Sequence, residues 1–201
     1  MVRTYRLGKR ATDVDERRAA AVEAAFTVWS ELGFDGVTLQ GVADRAGLSL
    51  KSVVRYFGTK EGLFRACLEV SVAREQGMRE APAGDVAAVV RTLSERYEAI
   101  AERVVRNAEI EFRYPVMAEW VARVRASHTE WLARAFAPWL PTSGRVRKER
   151  LGALFWATEI RSWWALRHAL GHDRASTERV MRSMLDALVA SWTPERAGRS
   201  R

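Results

Sequence analysis

The stretch VTLQGVADRAGLSLKSVVRYFGTKEGL, which runs from Val37 to Leu63, decides the fold of this chain. Its apolar spacing predicts two short helices separated by a tight turn, followed by the start of a third helix. Thr38 and Ser49 are residue types that cap helix N-termini, and Gly47 suits the left-handed position that ends the first helix. A helix, a glycine-containing turn and a helix with a basic, hydroxyl-bearing outer face form the pattern of a helix-turn-helix DNA-binding motif.

The run that follows Val37 resembles the DNA-binding domain of TetR-type bacterial transcriptional repressors, and the resemblance covers about residues 15–70. The matching positions are Thr38, Ala43, Ala46, Gly47, Leu48, Ser49, Tyr56, Phe57, Lys60, Glu61 and Leu63. The chain departs from the family pattern at Val54, where the family often has a tyrosine that contacts phosphate, and at Gly58, where proline is common.

The resemblance implies an all-α fold of about nine helices. It consists of an N-terminal three-helix helix-turn-helix DNA-binding domain and a C-terminal helical domain for ligand binding and dimerisation. The expected divisions are a flexible basic arm at 1–12, the DNA-binding domain at 13–80, the ligand-binding and dimerisation domain at 85–193 and a flexible tail at 194–201. The arm has an alternative role, which is to reach the minor groove or adjacent phosphates.

The candidates for DNA contact lie on the caps and outer faces of the motif helices. Lys51 and Arg55 are one helical turn apart, so both can face a major groove. We expect Lys51 to read a base edge, preferably guanine, whereas the motif hydroxyl groups and Lys60 hold phosphates. The full predicted set is Thr38, Gln40, Ser49, Leu50, Lys51, Ser52, Arg55, Tyr56 and Lys60.

Composition supports the motif only weakly. The formal net charge is +8, but residues 1–80 carry 13 basic and 11 acidic side chains, so most of the excess lies in the second half. The prediction of DNA binding therefore depends on the motif and its local placement rather than on bulk charge. The single cysteine, Cys67, excludes an intramolecular disulfide framework, and no apolar run is long enough to span a bilayer. We expect a cytoplasmic protein with no membrane partner.

The second half predicts helices at about 85–111, 115–140, 146–170 and 174–192, with no strand pattern. Pro115 disfavours helix at the preceding residue and so interrupts the chain there. The Ala-Pro-Ala-Gly sequence at 81–84 is the clearest linker and is expected to mark the domain boundary.

Seven of the eight tryptophans lie in this second half. A cavity lined by aromatic rings and a few polar groups would suit a small aromatic or amphipathic molecule, although the same rings can simply fill a core. The predicted ligand-binding residues are Phe112, Trp120, Trp131, Phe155, Trp156, Glu159 and Trp163.

The last helix has a wide apolar surface, as a four-helix dimer interface requires. Trp163 and Trp164 are adjacent, so one of them is expected to face the interior and the other a second subunit. The predicted dimer residues are Trp164, Val180, Met181, Met184, Leu185, Leu188 and Trp192. Ordinary packing within one chain is the alternative.

Enzyme chemistry finds no support in the sequence. His168 and His172 have the spacing of helical metal ligands, but Gly171 is expected to end the helix between them, so we predict no metal and no cofactor. The resemblance implies a homodimeric repressor that binds a palindromic double-stranded DNA operator and is released by a small-molecule effector. The alternative is a helical ligand-binding or protein-interaction module with the same fold that does not bind an operator.

Overall fold

The structure is a computed structural model that describes residues 2–78, 80–106 and 110–192, with side chains for 12–71, 73–74, 80–102, 104–105 and 110–192. These residues form helices and no strand, which confirms the all-α fold class. The α-helices are α1 (Val2–Gly36), α2 (Leu39–Ala46), α3 (Leu50–Phe57), α4 (Lys60–Met78), α5 (Val86–Arg106), α6 (Ile110–Arg113), α7 (Pro115–Ala135), α8 (Gly144–Thr158), α9 (Ile160–Trp164) and α10 (Arg174–Trp192). A short 3-10 helix lies at Ala137–Trp139, and a π-helix at Ala165–Ala169.

The described residues divide into two compact units. The first unit contains the chain up to Arg74 together with 110–121, and the second contains the remainder. This division differs from the expected boundary at 81–84, because 110–121 belongs with the predicted DNA-binding helices. Helix α7 therefore supplies residues to both units.

The ends of the first helices follow from local signals in the sequence. The hydroxyl of Thr38 accepts a hydrogen bond from the backbone N–H of Gly41 at 3.0 Å and so caps α2. Gly47 ends that helix with φ of 65°, in the left-handed region that glycine adopts without strain. Ser49 caps α3 by accepting from the backbone N–H of Ser52 at 3.2 Å. These three features are the ones that the motif predicts.

The core of the first unit is formed by the inner faces of α1 to α4 and by the start of α7. Its largest fully buried side chains include Val22, Val37, Val42, Val53, Leu63 and Phe64. Cys67 also lies in this core, and burial raises its pKa to about 12. A thiol with that pKa stays protonated at neutral pH, so Cys67 serves packing rather than chemistry.

The segment 110–121 is held in the first unit by both apolar and polar contacts. The buried ring of Trp120 packs edge-to-face against Trp29, with ring centroids 4.9 Å apart. Arg65 donates to both carboxylate oxygens of Glu119, at 3.2 and 3.3 Å. Such bidentate pairing fixes orientation, while its exposure limits its contribution to stability.

The second unit has its own core between α5, α7, α8, α9 and α10. The fully buried side chains there include Val89, Leu93, Leu132, Phe136, Leu154 and Leu185. The predicted helix at 146–170 is wrong in one respect. Its hydrogen bonding is interrupted at Glu159, whose ψ of 139° is extended, and the chain then continues as the short α9 and the π-helix.

The backbone of residues 2–12, expected to be a flexible arm, is helical and continuous with α1. The predicted tail at 194–201 lies outside the described residues. Among the helices that the structure describes, none is both long and apolar enough to cross a membrane.

Candidate functional site

The motif helices present one buried face and one exposed face. Val53 and Phe57 point into the core of the first unit, as predicted. Because a helix buries one side only, Lys51, Val54 and Arg55 are exposed on the other side of α3. The exposed face therefore carries two cations one turn apart, which is the arrangement expected of a helix that reads DNA.

Hydrogen bonds order several of the predicted DNA-contacting side chains before any partner binds. The hydroxyl oxygens of Ser49 and Ser52 are 3.0 Å apart at the start of α3. The guanidinium group of Arg55 donates to the hydroxyl of Tyr56 at 3.3 Å and lies 5.1 Å from the centre of its ring. Near the start of α2, Gln40 is exposed and donates to the side chain of Asp44 at 2.6 Å. Pre-ordered side chains lose less conformational entropy when they bind.

Lys60, a predicted phosphate contact, packs against the end of α1 in this structure. Its ammonium lies 4.3 Å from the centre of the Phe34 ring and 3.4 Å from the backbone carbonyl O of Asp35, to which it donates. The side chain is half-buried, and desolvation is the main cause of its lowered pKa. Because α4 begins against the end of α1, Lys60 serves the packing of the first unit in this structure.

Sequence reasoning missed Gly62, in the first turn of α4. A Cβ atom at this position would lie 2.0 Å from the backbone carbonyl O of Phe57, which is closer than any real contact. The turn between α3 and α4 therefore requires a residue without a side chain. A glycine so early in a helix, where most other residues have better helix propensity, was the available signal.

The structure does not place the seven predicted ligand-binding residues in one cluster. Phe112 and Trp120 belong to the first unit, whereas the other five belong to the second. Phe112 is 82% exposed, so it does not line an enclosed cavity within the chain. Trp120 is buried, but its partners are Phe26, Trp29 and Phe64 of the first unit.

Three of the remaining five residues do lie together in the second unit. Trp131 and Trp163 are buried in its core, and Phe155 packs half-buried against the same core. Trp156 is 71% exposed on α8, so its assignment to a cavity wall is wrong for the single chain. Glu159 caps α9 by accepting from the backbone N–H of Arg161 at 2.6 Å, because the helix breaks at that residue.

The predicted dimer residues also separate into two groups. Met181 and Leu185 are fully buried in the subunit's own core, so they are not available to a second subunit, and this corrects their assignment. Met184 is 45% exposed on the outer face of α10. The others, Trp164, Val180, Leu188 and Trp192, are half-buried. Trp163 is buried while Trp164 stacks on the ring of His168 at 3.6 Å, so the two tryptophans diverge as expected.

The histidine pair considered for a metal site is split by the end of the π-helix at Ala169. His168 is exposed and stacked on Trp164, whereas His172 follows the left-handed Gly171. Within the part of the chain that the structure describes, no group of three or more His, Cys, Asp or Glu side chains is placed to hold a metal ion.

The capped α2 and α3, with a left-handed glycine between them and an exposed basic face, define a helix-turn-helix DNA-binding domain. Residues 21–67 match the model of the family described as bacterial regulatory proteins, tetR family. This part of the chain is therefore a TetR-family DNA-binding domain. The aligned part of the HTH-type transcriptional regulator RutR of Escherichia coli (strain K12) is 34% identical over 77 residues, which is 36% of either chain. The chain thus matches about a third of the length of this curated relative.

Solved structures extend the likeness in fold over most of the chain. Salmonella enterica GusR superposes with a TM-score of 0.67 at 18% identity, covering 87% of this chain and 96% of that protein. A structure described as a SmeT–triclosan complex superposes with a TM-score of 0.60 at 17% identity, covering 92% and 95%. At these identities the likeness concerns the arrangement of helices in both halves.

Proposed function

We propose that this protein is a transcriptional repressor that binds a palindromic DNA operator as a homodimer and is released by a small molecule. The observation that carries the proposal is the exposed face of α3. Lys51 and Arg55 project from it, and the helix begins at the Ser49 cap, which the family motif shares. A helix held in this way can enter a major groove without reorganising.

In this proposal, Lys51 reads a base edge and prefers guanine, whose N7 and O6 accept two hydrogen bonds. Phosphate contacts come from the hydroxyl groups at the helix starts and from Tyr56. Lys60 is left out of this set because its ammonium is held by Phe34 and Asp35. Two copies of α3, one from each subunit, occupy successive major grooves on one side of the DNA.

The dimer is proposed to form through the exposed face of α10, with Met184 at its centre. The Met184 side chain is 45% exposed, and covering this apolar surface with a second subunit lowers the free energy of the dimer. Val180 and Leu188, four residues away on either side, and Trp192, eight residues away, are half-buried and continue the same face.

The effector is proposed to bind in the second unit and to favour a dimer whose two α3 helices no longer match the operator spacing. It acts only through its different affinities for the two states of the dimer. SmeT, a protein of similar fold, forms a complex with triclosan, which is a small aromatic compound. This supports an aromatic effector here.

The test separates the repressor from the alternative of a helical module without an operator. Binding of the purified protein to DNA from upstream of its own gene is measured by fluorescence anisotropy against a scrambled fragment of the same length. We expect preference for the upstream fragment and an affinity that falls steeply between 50 and 200 mM salt, by roughly a thousandfold for six phosphate contacts. Absence of binding, or equal affinity for both fragments, favours the alternative.

A further inference from the structure

The apolar core of the second unit contains a buried polar cluster at the residue where α8 stops. Tyr97 donates its hydroxyl to the backbone carbonyl O of Thr158 at 2.6 Å. The hydroxyl of Thr158 donates to the carbonyl O of Leu154 at 2.7 Å, and Nε2 of His128 lies 3.0 Å from the same hydroxyl oxygen.

The cluster follows from a break in helical hydrogen bonding. In an unbroken helix the carbonyl of Thr158 would accept from the backbone N–H of Ser162. That N–H donates instead to the backbone carbonyl O of Glu159, at 3.0 Å. The hydroxyl of Tyr97 takes its place. The chain then departs from α-helical geometry a second time, at the π-helix Ala165–Ala169. Interruptions of this kind occur frequently at functional sites.

Between these two interruptions lies a buried hydrogen-bond donor without an acceptor. Trp163 is only 2% exposed, and its indole Nε1 has no hydrogen-bond partner among the described residues. The rings of Trp163 and Tyr97 form a T-shaped pair with centroids 6.0 Å apart, and the guanidinium group of Arg167 lies 5.6 Å from the centre of the Trp163 ring. Arg167 is itself engaged by the carboxylate of Glu98 at 3.0 Å. A buried N–H that bonds neither protein nor water loses the hydrogen bond that it makes in the unfolded chain.

We propose that this N–H is completed by the effector, and that the effector is a flat aromatic compound with an oxygen acceptor, either a ketone or a carboxylate. The inference rests on the proposed function and names the chemistry of its ligand. An indole N–H only donates, so the ligand must supply the acceptor. The rings of Tyr97, Trp131 and Phe155 surround the polar cluster and provide the apolar contacts.

The same site offers a physical link to DNA binding. His128 and Trp131 belong to α7, and α7 also supplies Trp120 to the core of the first unit. A ligand that changes the hydrogen bond between Thr158 and His128 acts on a helix that is part of both units. For regulation, the ligand is proposed to bind the state that has low affinity for DNA more tightly than the other state.

Three compounds of nearly equal shape test the proposed class in the wild-type protein: 2-acetylnaphthalene, 2-naphthoate and 2-ethylnaphthalene. Binding is measured by thermal shift and by isothermal titration calorimetry, without DNA. We expect the ethyl compound to bind about tenfold more weakly than the acetyl compound, since only the latter can accept from the indole. Trp163→Phe removes the N–H and should bring the two affinities to within about threefold.

Trp156→Phe is the matched control, because it makes the same chemical change at a tryptophan that is 71% exposed. It should leave the preference unchanged. Equal binding of the three compounds, binding of none, or a preference that survives Trp163→Phe would overturn the assignment. The comparison of compounds in the wild-type protein needs no variant, so it decides the proposal even if Trp163→Phe does not fold. If the wild-type protein without any compound does not bind the upstream DNA, that result counts against the proposed function instead.

Discussion

Tyr114 donates its hydroxyl to the carboxylate of Asp35, although the two residues are 79 positions apart in the sequence. Arg113 reaches the same carboxylate, with Nη1 and Oδ2 separated by 3.3 Å. The Tyr114 ring also packs against Phe34, with centroids 4.6 Å apart. The residues just before α7 are therefore bonded to the end of α1, directly before the helix-turn-helix motif. In this way the middle of the chain becomes part of the DNA-binding unit.

This hydrogen bond predicts a pH window of stability. Tyr114 is the main cause of the lowered pKa of Asp35, and Asp35 is the main cause of the raised pKa of Tyr114. The bond adds stability between about pH 4 and pH 10, the ordinary pKa values of the two groups. It is lost as the pH falls through the lowered pKa of Asp35 or rises through the raised pKa of Tyr114.

We expect Tyr114→Phe to lower the melting temperature at pH 7 and to lower it less at a pH below the lowered pKa of Asp35. Thermal melts at the two pH values measure this. Tyr56→Phe is the control, because the Tyr56 hydroxyl accepts from Arg55 instead of donating to a carboxylate. A Tyr114→Phe difference that is the same at both pH values would contradict the assignment.

Lys51 and Lys60 should behave differently on DNA. Lys51→Ala is expected to reduce discrimination between upstream and scrambled DNA about tenfold or more, because a base contact contributes about 1–3 kcal/mol of specificity. Lys60→Ala should leave the salt slope unchanged, since its ammonium is held by Phe34 and Asp35. Anisotropy titrations over a salt series measure both effects. A salt slope reduced by about one unit in Lys60→Ala would restore this residue as a phosphate contact.

Gly62 is predicted to be intolerant of any side chain. Gly62→Ala places Cβ 2.0 Å from a backbone oxygen of Phe57, and the backbone shift that relieves this should cost about 1–3 kcal/mol. Gly152→Ala is the matched control, because no atom of the described residues beyond its own helix backbone and chain neighbours lies within 4 Å of a Cβ in the middle of α8. It should be neutral or stabilising by up to about 1 kcal/mol. Urea unfolding compares the two, and equal midpoints would refute the steric argument.

Met184 and Leu185 are adjacent but should have opposite consequences. Met184→Glu puts a charge in the proposed interface and should weaken the dimer by several kcal/mol while the subunit stays folded. Leu185→Glu puts the charge in the core, where Leu185 is 0% exposed, and should unfold the subunit. Sedimentation velocity with circular dichroism separates these outcomes. A Met184→Glu variant that still sediments as a folded dimer would place the interface elsewhere.

The sequence predicts the motif well because its signals are local. The caps at Thr38 and Ser49 and the left-handed Gly47 are each recognisable from the residue and its immediate neighbours. The face of α3 follows from the spacing of Val53 and Phe57, so the exposure of Lys51 and Arg55 is predicted with it.

The features that the sequence does not predict depend on distant contacts. The break at Glu159 involves no proline or glycine that would predict it. The helical hydrogen bond lost at the carbonyl of Thr158 is replaced by one from the hydroxyl of Tyr97, on another helix. Lys60 has the charge expected of a phosphate contact, but its ammonium contacts the Phe34 ring and the backbone carbonyl O of Asp35. Hydrophobicity alone does not show that Trp120 packs in the first unit or that Trp156 is exposed.

Hydroxyl-radical footprinting of the upstream DNA tests the central claim most directly. The homodimer proposed here should protect two stretches of backbone that are related by a twofold axis, with centres about one helical turn, or roughly 10 base pairs, apart. Addition of a compound that binds the second unit should remove both stretches together, because the coupling between the two sites is reciprocal. A single unsymmetrical footprint, or no protection at protein concentrations that bind the compound, would contradict the account.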